Sequence, residues 1–218
     1  MALVHARVAA PLAAGMTVLQ GMVELGEAVA DLAEARAAVL AVPAGGEGHE
    51  ASRAQILAFL DVHPDALFRS CTAGHLTGSA VVVDPASGQV LLLLHRKVQR
   101  WLQPGGHADG DGNLARVALR EAEEETGIPG LRVMTPAVDL DVHVFRDVNG
   151  REPDHLHLDL RHLVLAPPGA RPVINHESQG ARWVARADLA SIDADAGTVR
   201  MVDAALAAFR RLDPAATS

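Results

Sequence analysis

The chain has 218 residues, 49% of them hydrophobic, which is enough for one large domain with a packed core and argues against wholesale disorder. Aromatic residues make up 3% with no tyrosine, so the core has to be built from Val, Leu and Ala. The formal net charge of -8 argues against non-specific binding to nucleic acid and against a polybasic membrane surface, but leaves phosphate substrates open, because a bound divalent metal reverses the local sign.

No apolar run reaches the roughly 18–20 residues of a membrane span. The opening "MALVHARVAAPLAAGM" carries Arg7 and an Ala-rich piece, but Pro11 and the early polar residues make a poor signal-peptide core. The expectation is a cytoplasmic protein with no membrane partner. A single cysteine, Cys71, permits no internal disulfide and suits a reducing compartment.

Residues 16 to 42 read as a helix, with Val18, Met22, Leu25, Val29, Leu32 and Val39 in a 4-3 rhythm. Its stripe has two uses: packing on its own domain, or pairing with a second copy in a homodimer. Gly21 and Gly26 weaken it. "PAGGEGHE", residues 43 to 50, is a linker by composition. The predicted organisation is thus an N-terminal helical extension and linker over 1–50 and a main domain over 51–218. A second amphipathic helix is predicted at about 51–62, ending before Pro64.

The period then changes. "HLTGSAVVVDPASGQVLLLLHRK" has two β-rich runs around "DPASGQ", which reads as a hairpin whose apolar runs are covered on both faces. "VQRWLQPGGHADGDGN" reads as a loop, followed by an acidic helix. Further strands are predicted at about 131–134, 138–145 and 156–166, a short one at "ARWV", and a terminal helix in "AGTVRMVDAALAAFRRL". This order indicates an α/β domain with a mixed sheet and flanking helices.

The acidic helix carries Glu121, Glu123, Glu124 and Glu125 within five positions. Residues turn by about 100° along a helix, so Glu125 and Glu124 lie about 40° and 60° to either side of Glu121. Glu123 points away, and Ala115, Ala118, Leu119 and Ala122 form a small apolar face for a sheet. Three converging carboxylates suit a hard cation; the alternative is a solvated acidic face. Gly127 supplies the helix stop.

The wider spacing resembles the Nudix box: Gly, five residues, Glu, seven residues, then Arg-Glu-apolar-any-Glu-Glu-any-Gly-apolar. Gly106 and "REAEEETGI" from Arg120 to Ile128 stand in register with it. "WLQPGG" before it and "ESQGARWVARADL" after it extend the resemblance over roughly residues 70 to 210. One position departs: the first box glutamate is replaced by Gly112, with Asp109 and Asp111 nearby as candidates to compensate.

The resemblance implies a Nudix-type α/β/α sandwich and hydrolysis of a nucleoside diphosphate linked to another moiety, with Mg²⁺ or Mn²⁺ as cofactor. It implies metal ligands at Gly106 (through its carbonyl), Glu121, Glu124 and Glu125, and an orienting role for Arg120. Glu177, in the late loop, is the candidate for a general base or extra ligand; its alternative is a loop carboxylate. Trp101 serves as apolar support or as a stacking surface.

The chain has 11 histidines. In "EPDHLHLDLRH", strand alternation puts His155, His157, Asp159 and Arg161 on one face and Leu156, Leu158 and Leu160 on the other. That face is a transition-metal site, a substrate-facing wall or a plain polar face. Asp139, Asp141 and His143 alternate in the same way. His107 is a candidate phosphate contact, while His75 and His95 read as structural.

Substrate choice is less legible. The proline that the resemblance would place about fifteen residues past the box in ADP-ribose hydrolases is missing from "DVHVFR". The tyrosine of dinucleoside polyphosphate hydrolases is replaced at best by Phe145, and no coenzyme A signature is present. Two alternatives to a pyrophosphohydrolase stand. One is a catalytically weak nucleotide-binding or regulatory module, motivated by Gly112. The other is isoprenoid diphosphate isomerisation, which would depend on Cys71, a residue that precedes the first sheet strand.

Overall fold

The computed structural model describes residues 17–20, 25–146 and 152–212. In chain order these form β1 (Thr17–Gln20), α1 (Leu32–Ala41), α2 (Glu47–Val62), β2 (Gly74–Val83), β3 (Val90–His95), β4 (Arg100–Leu102), β5 (Gly105–His107), α3 (Leu114–Thr126), β6 (Arg132–Thr135), β7 (Asp139–Phe145), β8 (His155–Leu165), β9 (Ser178–Val184), a 3-10 segment (Arg186–Ile192) and α4 (Ala196–Leu212). Among the described residues no helix is long and apolar enough to cross a membrane.

The strands make one mixed sheet whose spine is the parallel pair β2 and β8, in register from Gly74↔Leu156 to Val83↔Leu165. The sheet forks around this spine: β7 and β6 flank β8, while β5 and β3 flank β2. Side chains alternate between the faces. On one face Leu76, Leu158 and Leu160 pack under α1 and α2, and Ala80, Val82 and Val164 pack under Ala115, Ala118, Leu119 and Ala122 of α3. On the other, Val81, Val83, Leu163 and Leu165 pack under Met201, Val202, Ala205 and Phe209 of α4. Helices thus cover both faces, as an α/β/α sandwich requires, and both apolar runs of the hairpin are buried on both sides.

The approach of α3 is set by Gly78. A Cβ there would stand 2.8 Å from the Leu114 carbonyl oxygen and 3.1 Å from the Ala118 nitrogen, so any larger residue would push the helix off the sheet. Asn113 caps the helix by accepting from the Arg116 N–H at 3.0 Å. Gly127 ends it in the left-handed region at φ 61°, donating to the Glu123 carbonyl, as expected of a glycine stop.

Three expectations need correction. Residues 16–42 are not one helix: Thr17–Gln20 pair antiparallel with β6, and α1 begins only at Leu32. Gly26 sits at φ 73°, which a right-handed helix cannot contain, and the Asp31 carboxylate accepts from Ala33 N–H and starts a new helix. Met22, one of the stripe residues, lies outside the described residues. Of the stripe's described side chains, Leu25 and Val39 are buried within the chain and Leu32 packs against the same core as Val39, whereas Val29 is exposed. The second correction is that α2 takes up Glu47–Glu50 from the region read as linker. Third, the stretch from Val98 to Asn113 is not all loop, because Arg100–Leu102 and Gly105–His107 are strands.

Candidate active site

The acidic helix lays its glutamates over the start of the loop that precedes it. A Cβ on Gly106 would collide with the Glu121 carboxyl group, so glycine is what lets that carboxylate reach β5. Arg120 donates to Glu121 Oε1 at 2.7 Å and to the His107 carbonyl at 2.9 Å, which ties the helix to the strand beside Gly106. Glu121 is shifted up by burial, an effect the Arg120 hydrogen bond opposes and the neighbouring Glu124 reinforces. Glu125 is pushed up to about 8, first by burial and then by the carboxylates of Glu121 and Glu177, while the Gly105 N–H bonds its charged form. Glu123 is half-buried rather than freely solvated.

Glu177 therefore faces the same cluster from another element. It arrives there because the loop before β9 runs along the end of α3: Val173 N–H donates to the Thr126 carbonyl at 2.6 Å and Asn175 reaches the Glu124 carbonyl at 3.5 Å. Glu125 thus stands in the field of Glu121, Glu124 and Glu177, and Glu121 in that of Glu124. Two cavities of about 620 and 420 Å³ lie elsewhere, beside the N-terminal helices, and no box glutamate lines them.

Gly112 has a structural reason. A side chain there would run into the backbone oxygen of Asp31, and its own N–H donates to the Val29 carbonyl at 2.9 Å. The N-terminal segment occupies the space a glutamate would need. Neither neighbouring aspartate is free to stand in for it. Asp111 is buried against Arg116 at 2.6 Å, and that guanidinium also donates to the Leu25 carbonyl at 2.6 Å. Asp109 is held by Arg69 at 2.7 and 2.8 Å.

The opposite face of the spine turns polar beyond the apolar core under α4. Asp139↔Arg161, Asp141↔Asp159 and His143↔His157 are register partners, as the alternation predicts. Arg161 donates to Asp159 at 2.9 Å, Asp139 at 3.1 Å and Asp141 at 2.9 Å; Arg200 of α4 binds Asp139 at 3.0 Å and Asp141 at 2.8 Å. Thr77 and Ser79 donate to Asp159 at 2.9 Å. Arg200, Thr77 and Ser79 escaped the sequence reading. The period-two polarity of "HLTGS" is the signal that marks the latter two.

His75, read as merely structural, joins His107, His155 and His157 in one group. His95 stands apart, its ring near the Val98 N–H at 3.4 Å. Phe145 stacks on His157 at 4.8 Å. Trp101 packs against the α4 core with Arg182 over its ring. Cys71 is buried with its sulfur 3.7 Å from His63 Nδ1, a contact that involves none of the glutamates.

The NUDIX domain model matches residues 74–205. The chain belongs to the Nudix family. It is accordingly a Nudix hydrolase, of the enzyme class that opens phosphoric anhydride bonds, and Nudix hydrolases generally use divalent metal ions. None of the curated proteins matches the chain. Among solved structures, a C. elegans Ap4A hydrolase binary complex is 19% identical, with 62% of this chain and 96% of that one covered at a TM-score of 0.47. The M. smegmatis Nudix hydrolase RenU is 22% identical, covering 59% and 81%, at 0.46. The Nudix domain of Shewanella oneidensis NrtR, in complex with ADP ribose, is 19% identical, covering 68% and 95%, at 0.46.

Proposed function

We propose that this Nudix hydrolase cleaves a nucleoside diphosphate linked to another moiety, using Mg²⁺ or Mn²⁺ held by Glu121, Glu124, Glu125 and the Gly106 carbonyl. The observation that supports this is the Glu121 carboxyl group lying against Gly106, with Glu125 beside it in the field of Glu121, Glu124 and Glu177. The donors fit the ion: they are hard oxygens, and the burial and crowding by carboxylates that push Glu125 up to about 8 are what a cation among them would relieve. When bound, the cation neutralises diphosphate oxygens and lowers the pKa of the attacking water.

The protein's own groups supply position and proton transfer. Arg120 fixes the Glu121 carboxylate and, through the His107 carbonyl, its distance from β5. Glu177, which reaches the cluster from a separate loop, is the candidate to accept the proton of the attacking water. A small-molecule substrate fits a chain of net charge -8, which offers nucleic acid no basic footprint.

A hydrolysis screen over nucleoside diphosphate derivatives, with Mg²⁺ and with Mn²⁺, tests the reading. Turnover should release a nucleoside monophosphate and require the metal. Glu124→Gln should lower kcat by about 10²–10⁴-fold, the range for losing a group that assists proton transfer or holds the reacting centre. Unchanged turnover in that variant would sink the assignment of the helix. Tight nucleotide binding without turnover across the panel would instead favour the binding-module alternative, which Gly112 motivates.

A further inference from the structure

We infer that His75, His107, His155 and His157 form a second cation site, built for a nitrogen-preferring divalent ion of the Zn²⁺ class and distinct from the glutamate site. The inference does not depend on the glutamates holding an ion.

Strand register assembles the group. His75 and His157 are direct partners across the parallel spine, His155 lies two residues back on the same face, and His107 enters from β5 on the other side of β2. One ring nitrogen from each of the four lies within 4.8 Å of the others. A tetrahedral ion with bonds of about 2.0–2.1 Å sets its nitrogens about 3.3 Å apart, so closure asks each ring to move by at most about 0.9 Å.

Burial supplies an independent observation. His75 is 3% exposed and His155 6%, yet the Nε2 atoms of both, and of His157, are buried with no hydrogen-bond partner. A carbonyl can only accept, so the contact of His155 Nδ1 with the Pro153 oxygen at 2.8 Å places the proton on that Nδ1, and the longer 3.5 Å approach of His75 Nδ1 to the Cys71 oxygen fits the same tautomer. Each Nε2 is then a bare lone pair. Metal-bound histidines are arranged in this way: one nitrogen donates to a backbone carbonyl and the other ligates. His49 Nε2 and His162 Nδ1 are buried without a partner too, but each is outside this group; among the described residues, only here do three such atoms belong to rings whose nitrogens come within 4.8 Å of one another.

The donor set decides the ion. Four imidazoles with no carboxylate among them suit Zn²⁺, Co²⁺ or Ni²⁺ and disfavour Mg²⁺, which selects oxygen. Four protein ligands close the coordination sphere, so the ion braces rather than reacts. It would lock β5 against β2 and β8 next to Gly106, at the strand whose His107 carbonyl holds Arg120.

The test titrates Co²⁺ into the metal-stripped full chain and follows visible absorption. One Co²⁺ per chain should give the intense bands of a tetrahedral site, displaced by Zn²⁺ but not by excess Mg²⁺. The bands should persist in Glu124→Gln and in Cys71→Ser, and weaken at least tenfold in affinity in His107→Asn and His157→Asn. Absence of tetrahedral bands, their survival in both histidine variants, or their loss in Cys71→Ser would overturn the proposal, as would their loss in Glu124→Gln. Side-chain ¹⁵N spectra of the unmutated chain remove any dependence on how the variants fold. Zn²⁺ should shift the Nε2 signals of His75 and His155, and their indifference to Zn²⁺ would overturn the site.

Discussion

Gly112 and Gly106 occupy equivalent-looking places in a glycine-rich loop, yet they are glycine for opposite reasons. Gly106 makes room for a side chain from α3, while Gly112 makes room for the backbone of a distant segment. The second reason is invisible in sequence, because Asp31 and Gly112 are far apart along the chain. It predicts that Gly112→Glu, the substitution that would restore the box, destabilises the protein. Overpacking of this kind costs about 2 kcal/mol, or about 4–8 °C in Tm for a chain of this length. Thermal unfolding would check it, and an unchanged Tm would show that the N-terminal segment does not press on this position.

Between elements, the polar half of the spine depends on two arginines. Arg161 on β8 and Arg200 on α4 share Asp139 and Asp141, so the sheet and the terminal helix are joined by charge as well as by the apolar core. Arg161 and Asp159 are both buried, and removing the cation strands carboxylates away from water. Arg161→Met should therefore cost about 3–5 kcal/mol, the range for breaking a buried pair by losing one partner. Arg200 is more exposed, so Arg200→Met should cost clearly less. Urea unfolding of the two variants distinguishes them, and equal losses would contradict the burial difference. The alternation in "HLHLDLR" foretold which residues share this face. It did not foretell that α4 would close it.

Across the whole molecule, buried neutral histidines set the acid stability. His162, in the α3-facing layer, is driven down to about 4 by burial, below the usual histidine value of about 6.5. Above about pH 6.5 both folded and unfolded chains hold it neutral and it has no effect. As the pH falls from there towards 4, the unfolded chain takes up a proton that the folded one refuses, so stability declines. The loss levels off below about pH 4 at about 3 kcal/mol. Denaturation midpoints measured between pH 7 and 4 should fall with acid, and His162→Leu should flatten that slope by about 1.4 kcal/mol per pH unit. A slope unaltered by the substitution would place the acid sensitivity elsewhere.

Local pattern alone determined the hairpin, the acidic helix with its stop at Gly127, the terminal helix and the box that marks the family, because alternation, helical period and fixed spacing are short-range properties. The same pattern misread residues 16–42, since a stripe of apolar residues is compatible with a helix whether or not the chain breaks at Gly26 and pairs Thr17–Gln20 with a strand more than a hundred residues away. Only the tertiary structure decided what fills the space at Gly112, that the loop of Glu177 docks beside α3 near Glu125, and that His75 meets His155 and His157. Those are contacts between residues brought together by strand register and loop docking, and no local period encodes which strand lies beside which.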